Sequence, residues 1–150
     1  MMKFNVTIRV GQLNLIQAAL DAAATPGEVL FYTGTRPPIE GSSTTAILQG
    51  TVVLAKPCAI VSVGIVTIGD IDYPQAVMTF VGDVEGVRVA ADIITWARFV
   101  DGDGNFVCDA NVRINAYVST GPGDEPDLQI DNPNGYIGGL LHINSIIIRR

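Results

Sequence analysis

Lysine is almost missing from this sequence. It occurs only as Lys3 and Lys56, and charged residues of all kinds make up 16% of the chain, against about 25% in an ordinary soluble domain. With 48% hydrophobic residues among 150 positions, a single domain carries more apolar surface than its own core takes up. Burial against other subunits accounts for that surplus. Burial in a membrane does not, because a spanning helix needs roughly 18 or more consecutive apolar residues. The longest apolar stretch, Ala59 to Gly69, is interrupted by Ser62, Gly64 and Thr67, and its Val and Ile content suits buried strands. No membrane partner is expected.

The shortage of positive charge also argues against nucleic acid as a partner. A net charge of −6 repels phosphate backbones, whose proteins bind by displacing counterions with Lys and Arg. Arginine supplies most of the few cations, a bias shared with protein interfaces. The opening residues Met1 to Arg9 alternate polar and apolar and lack the continuous apolar core and cleavage site of a secretory signal. A protein made and used inside a cell is the expectation.

Catalytic and metal-binding patterns are equally sparse. Cys58 and Cys108 stand far apart, without Cys-x-x-Cys spacing or a nearby His, so they read as free buried thiols and not as zinc ligands or a disulfide framework. The single histidine, His142, sits between Leu141 and Ile143 with no adjacent nucleophile, which favours a structural or surface role. Ser62 is followed by Gly64 but preceded at the matching position by Ile60, so the Gly-x-Ser-x-Gly elbow fails. No Gly-x-Gly-x-x-Gly leads into a helix. The sequence therefore offers no catalytic residue, cofactor site or metal site, and the expectation is a protein that is not an enzyme.

Two polar clusters have simpler readings than chemistry. Asp101-Gly102-Asp103-Gly104-Asn105 resembles the start of a calcium loop, but Val112 stands where the bidentate Glu is required. A hairpin turn is the preferred reading, since Asp-Gly supplies the positive φ of tight hairpins. Asp124, Glu125 and Asp127 lie in a Pro- and Gly-rich stretch and read as a solvated loop. Trp96, with Arg98 on the same strand face, is either a core side chain, the preferred reading, or a stacking platform for a sugar or a partner's side chain.

What is present is β signal. Leu13, Ile16, Leu20 and Ala24 recur at helical spacing, and Pro26-Gly27 stops the chain, which predicts one short helix over Gln12 to Ala24. Before it, Phe4, Val6, Ile8 and Val10 alternate by two and predict a strand or extended arm over residues 1–10. After it, strands are predicted at Val29–Tyr32, Ala46–Lys56, Cys58–Ile68, Ala76–Val81, Val87–Phe99, Phe106–Val118, Asp127–Ile130 and Tyr136–Ile148. In Phe106–Ile114 the polar set Val107, Asp109, Asn111, Arg113 alternates with an apolar one and is expected to face water or a partner. The fold predicted is mainly β: a single domain over 1–150, an antiparallel β-sandwich of jelly-roll type with one short N-terminal α-helix.

Three stretches carry a resemblance. They are Val29-Leu30-Phe31-Tyr32-Thr33-Gly34-Thr35-Arg36-Pro37 after the helix, Thr95-Trp96-Ala97-Arg98-Phe99-Val100 with the turn Asp101–Asn105, and Asp127-Leu128-Gln129-Ile130-Asp131-Asn132 with Gly138-Gly139 before the last strand. In this order they resemble a family of small tailed-bacteriophage virion proteins with a jelly-roll fold, to which capsid decoration, or cement, proteins belong. The resemblance implies a subunit on the virion's capsid surface, assembled in the host cytoplasm. It would bind the major capsid protein and other copies of itself as a dimer or trimer, and stabilise the shell without catalytic residues. Terminal strands add readily to a neighbouring sheet, so Phe4, Val6, Ile8 and Arg9 of the arm and Ile147 and Arg149 of the C-terminus are the expected partner interface. Two other readings stand beside it. One is a tail or fibre adhesin that binds a host glycan through Trp96 or the Tyr32–Pro38 loop; the other is a small hydrolase or lyase that uses acidic residues and His142.

Overall fold

Asn5 decides where the chain first becomes helical. Its side-chain Oδ1 accepts the Ile8 N–H at 3.0 Å, satisfying one of the donors a helix leaves unpaired at its start. The computed structural model describes residues 5–68, 70–82, 84–114 and 127–148. In it helix α1 runs over Val6–Leu20, so residues 6–10 of the predicted arm form helix instead of strand. The alternation of Val6, Ile8 and Val10 misled because Val6, Val10 and Leu13 also recur at three- and four-residue spacing. The helix ends four residues before the predicted stop, where Asp21 caps it and turns its carboxylate to the Cys58 N–H at 3.1 Å.

Among the described residues nine strands follow: β1 (Glu28–Tyr32), β2 (Leu48–Val53), β3 (Ala59–Ile68), β4 (Ile71–Phe80), β5 (Glu85–Arg88), β6 (Trp96–Val100), β7 (Phe106–Ile114), β8 (Asp127–Ile130) and β9 (Leu140–Ile148). The predicted strand Val87–Phe99 is in fact two, β5 and β6, with residues 89–95 as a loop. In sheet order the strands are β3-β4-β9-β5-β2-β1-β6-β7-β8, and β8 pairs again with β9.

That last pairing overturns the expected jelly-roll sandwich. Seven strands, from β9 through β5, β2, β1, β6 and β7 to β8, close into a barrel, whereas a sandwich keeps two separate sheets face to face. Closure uses a parallel pair, Asn111↔Asp127 to Ile114↔Ile130 between β7 and β8, and an antiparallel one between β8 and β9. Glycine permits the tight passage at β2 and β5. A Cβ on Gly86 would lie 2.1 Å from the Thr51 carbonyl oxygen, and one on Gly50 would lie 2.4 Å from Leu141 Cδ1.

The β3–β4 hairpin branches from this barrel. β9 pairs with β5 through Leu140–His142 and with β4 through Ser145–Ile148, so the hairpin leaves the barrel wall where β5 ends. Helix α1 crosses one face of it: Arg9 Nη2 donates to the Pro74 carbonyl oxygen at 3.3 Å, and Gln17 Nε2 to that of Ala59 at 2.6 Å. Leu13 and Leu20 thereby join one core with Phe31, Met78, Phe99, Leu128 and Ile146. Each such side chain contributes about 1.5–3 kcal/mol by leaving water.

Strand β6 is buried along its whole length. Ala97 and Phe99 face the core, while Arg98 lies beneath the segment between β1 and β2, from which the Ser42 carbonyl oxygen accepts Arg98 Nη1 at 2.8 Å. Asp109, expected to face water or a partner, is buried beside Arg98.

Candidate interaction surface

One end of the barrel is shaped by a single side chain. Arg88, the last residue of β5, is 2% exposed. Its Nε donates to the Ala90 carbonyl oxygen at 3.3 Å, its Nη1 to that of Pro133 at 3.2 Å, and its Nη2 to that of Asp92. Burial pulls its pKa down, against the opposing pull of Asp92. The loop 89–95 and the loop 131–139 are thus joined through carbonyl groups that would otherwise be left unpaired on burial. Backbone bonds extend the joint: Arg88 N–H to Gly139 O and Gly138 N–H to Arg88 O, both 2.9 Å, and Ile94 N–H to Pro133 O at 3.0 Å.

This framework holds apolar side chains outward. Val87 and Leu140 are direct cross-strand partners, Val89 follows two residues after Val87, and Tyr136 and Ile137 sit on the turn bonded to Arg88. Tyr136 is 73% exposed and Leu140 68%; Ile93 and Ile137 are exposed as well. A polar rim lies next to them, where Glu85 pairs in register with His142, and Asp131 takes His142 Nδ1 and Asn144 Nδ2 at 3.0 Å each. An apolar centre with a polar rim is how protein interfaces are built, and apolar patches of this kind mark binding sites on soluble domains.

A second surface runs along the helix and the hairpin. α1 has one charged residue, Arg9, and that residue is buried, so its outer side with Ile8 and Leu15 carries no charge. β3 has none either over Ala59–Ile68, and Ile60, Val63, Ile65 and Ile71 are all exposed on the hairpin.

Four of the six expected interface residues, Val6, Ile8, Arg9 and Ile147, lie among the described residues. Phe4 and Arg149 lie outside the described residues. Val6 is half-buried and Ile8 exposed, but Arg9 is 4% exposed and Ile147 is 6% exposed. Arg9 donates to the Pro74 carbonyl, and Ile147 sits in the barrel wall between β4 and β8. The residues that do form exposed surface were hidden in runs read simply as strand. Charge scarcity in α1 and β3 was the one signal that pointed to them.

The polar clusters have structural duties. Asp101 Oδ1 accepts the backbone N–H groups of Asp103 at 2.9 Å and Asn105 at 2.8 Å, and its Oδ2 accepts Asn105 Nδ2 at 3.0 Å, so the carboxylate folds its own turn. Gly104, at φ 83°, supplies the left-handed residue. Trp96 is 1% exposed and stacks on Tyr32 with ring centroids 4.5 Å apart, which leaves no open platform for a sugar. Cys58 is buried and Cys108 half-buried, both unpaired. The acidic stretch around Asp124 and Glu125 is outside the described residues. Among the described residues no group of three metal-ligating side chains occurs, and no helix is long and apolar enough to cross a membrane. No family model matches this chain, nor does any curated protein or solved structure.

Proposed function

We propose that this chain is a structural virion protein that binds the outside of a bacteriophage capsid and ties neighbouring major-capsid subunits together. One observation carries the reading: the rimmed apolar patch of Val87, Val89, Tyr136, Ile137 and Leu140 on loops braced by Arg88. A braced patch loses little conformational entropy on docking, so most of the gain from covering it is kept. Copies repeated around a closed shell then stabilise it together, each adding RT ln(1 + [L]/Kd). The tryptophan strand and the Tyr32-Thr33-Gly34-Thr35-Arg36-Pro37 loop, which resemble decoration proteins, supply the choice of partner. A glycan-binding tail module loses Trp96 as its platform, since that ring is buried under Tyr32.

The test is co-sedimentation of purified protein with expanded shells of the virus that encodes it, wild type against Leu140→Asp and Tyr136→Asp. Wild-type protein is expected near the copy number of the major capsid protein, and each variant is expected to lose at least tenfold in affinity while keeping its melting temperature. Full occupancy by both variants, or wild-type protein that stays in the supernatant, would end this reading.

A further inference from the structure

We infer that β3 is the seam of a symmetric dimer, its free edge pairing antiparallel with β3 of a second copy. The inference goes beyond the shell-binding proposal and does not rest on it.

The geometry follows from which backbone groups β3 has already used. The Val81 N–H donates to the Cys58 carbonyl oxygen at 3.0 Å, and the register then runs without a shift from Ala59↔Phe80 to Ile68↔Ile71. Even-numbered residues such as Ile60, Ser62 and Gly64 therefore bond to β4. Odd-numbered residues turn their N–H and C=O groups the other way, and β3 stands at the end of the sheet order. The Ala59 carbonyl is capped there by Gln17 at 2.6 Å. Among the described residues, none pairs with the edge from Val61 to Thr67.

Edges this long are ordinarily blunted by Lys, Pro, a bulge or a covering segment. β3 is 10 residues long, unbulged, and contains neither charge nor proline. Two copies of it consequently meet without repulsion, despite the chain's net charge of −6.

The open segment is centred on Gly64, and a two-fold axis there has a specific consequence. Val61 faces Thr67 of the second copy and Val63 faces Ile65, pairs that exchange both backbone hydrogen bonds. Val63 is 55% and Ile65 68% exposed in the single chain, so the pairing covers them. Gly64 meets Gly64 at the axis, where the non-bonded pair brings backbones closest.

The parity of the edge supplies a selective test. Proline at Val63 removes an N–H that points away from β4, so the hairpin's own ladder is kept and only addition of another strand is blocked. Light scattering on size-exclusion fractions should give two chains for the wild type and one for Val63→Pro. Ile65→Lys, a side-chain gatekeeper that leaves the backbone alone, should also give one chain and guards against misfolding of the proline variant. Gly64→Cys should be trapped as a disulfide-linked pair under oxidant, since facing non-bonded residues lie within disulfide reach. Leu140→Asp, at the other surface, should remain a dimer whether or not it still binds shells, so the two proposals fail separately. A wild type that is monomeric at about 100 μM, or a dimer that survives both Val63→Pro and Ile65→Lys, overturns the inference. A monomer whose shell binding is abolished by Val63→Pro also overturns it, and assigns the edge to a strand of the capsid protein.

Discussion

The Arg98 guanidinium grips the Asp109 carboxylate with two parallel hydrogen bonds, Nε to Oδ1 at 2.8 Å and Nη2 to Oδ2 at 2.9 Å. Arg98 is 8% and Asp109 6% exposed, so neither charge has water to fall back on. Donating to Asp109 raises the arginine's pKa further, against the opposing effect of burial. The guanidinium also lies over Trp96 at 5.5 Å and Phe106 at 5.3 Å, and its remaining arm holds the Ser42 carbonyl. One cation therefore fastens the segment between β1 and β2 over the tryptophan strand.

Breaking that pair from one side leaves a buried charge alone, while removing both sides leaves only a packing problem. Asp109→Ala is expected to cost about 3–5 kcal/mol in urea unfolding, and the double variant Arg98→Met/Asp109→Leu much less than the single one. Equal losses in the two proteins would show that the ion pair is not what holds the segment down.

Parts of this architecture were legible in the sequence because they are local. The spacing of Leu13, Ile16 and Leu20 announces a helix, and Asp101-Gly102-Asp103-Gly104-Asn105 announces a hairpin, since cap and turn chemistry acts within a few residues. The helix start at Asn5 was missed because an apolar residue at every second position satisfies strand and helix patterns alike. Barrel closure was missed for a different reason. It depends on β8 finding both β7 and β9, and strand lengths and turn spacings are the same in a sandwich and a barrel. Gly50 and Gly86, in the interior of strands, were the local trace of the closure. The rimmed patch was illegible because nothing in Val89 to Thr95 breaks a strand; the break is imposed by Arg88 binding two loops at once.

Gly11 and Gly86 make opposite demands on the fold. Gly11 lies inside α1, and a Cβ there meets nothing within 4 Å, so Gly11→Ala should stabilise by about 0.5–1 kcal/mol through the unfolded chain's lost freedom. Gly86→Ala must displace the Thr51 carbonyl from 2.1 Å and should destabilise by about 1–3 kcal/mol. Thermal melts of the two variants would move in opposite directions; a shift of the same sign in both would contradict the barrel's passage at β2 and β5.

Both cysteine thiols are pushed up to about 12, Cys58 by burial and then by Asp21, Cys108 by burial and then by Asp109 and Glu40. At pH 8 a thiol of that pKa is ionised in about one molecule in ten thousand, and the thiolate is the reactive form. The folded protein should show no fast reaction with a disulfide dye, and both thiols should titrate at once in guanidinium. Prompt labelling of the native protein at pH 8 would contradict the burial of these strands. Silent native thiols are also what make an introduced Gly64→Cys readable.

Acid sensitivity should report on the β6–β7 turn. Bonds from the Asn105 side chain and backbone, then from Asp103 and Gly104, hold the Asp101 pKa below its ordinary 3.8. A carboxylate depressed in the folded state binds fewer protons than it does unfolded, so its contribution is complete above the unfolded pKa and is lost as pH falls through the folded one. Asp101→Ala should accordingly melt below the wild type between pH 5 and 8, with a gap that closes as the pH drops beneath 3.8. The Asn105 side chain is the first cause of the depression, so Asn105→Ala should reproduce part of the loss and make the remaining gap less dependent on acid. A difference between wild type and Asp101→Ala that stays constant from pH 7 to pH 3 would mean that the turn is held by its backbone alone.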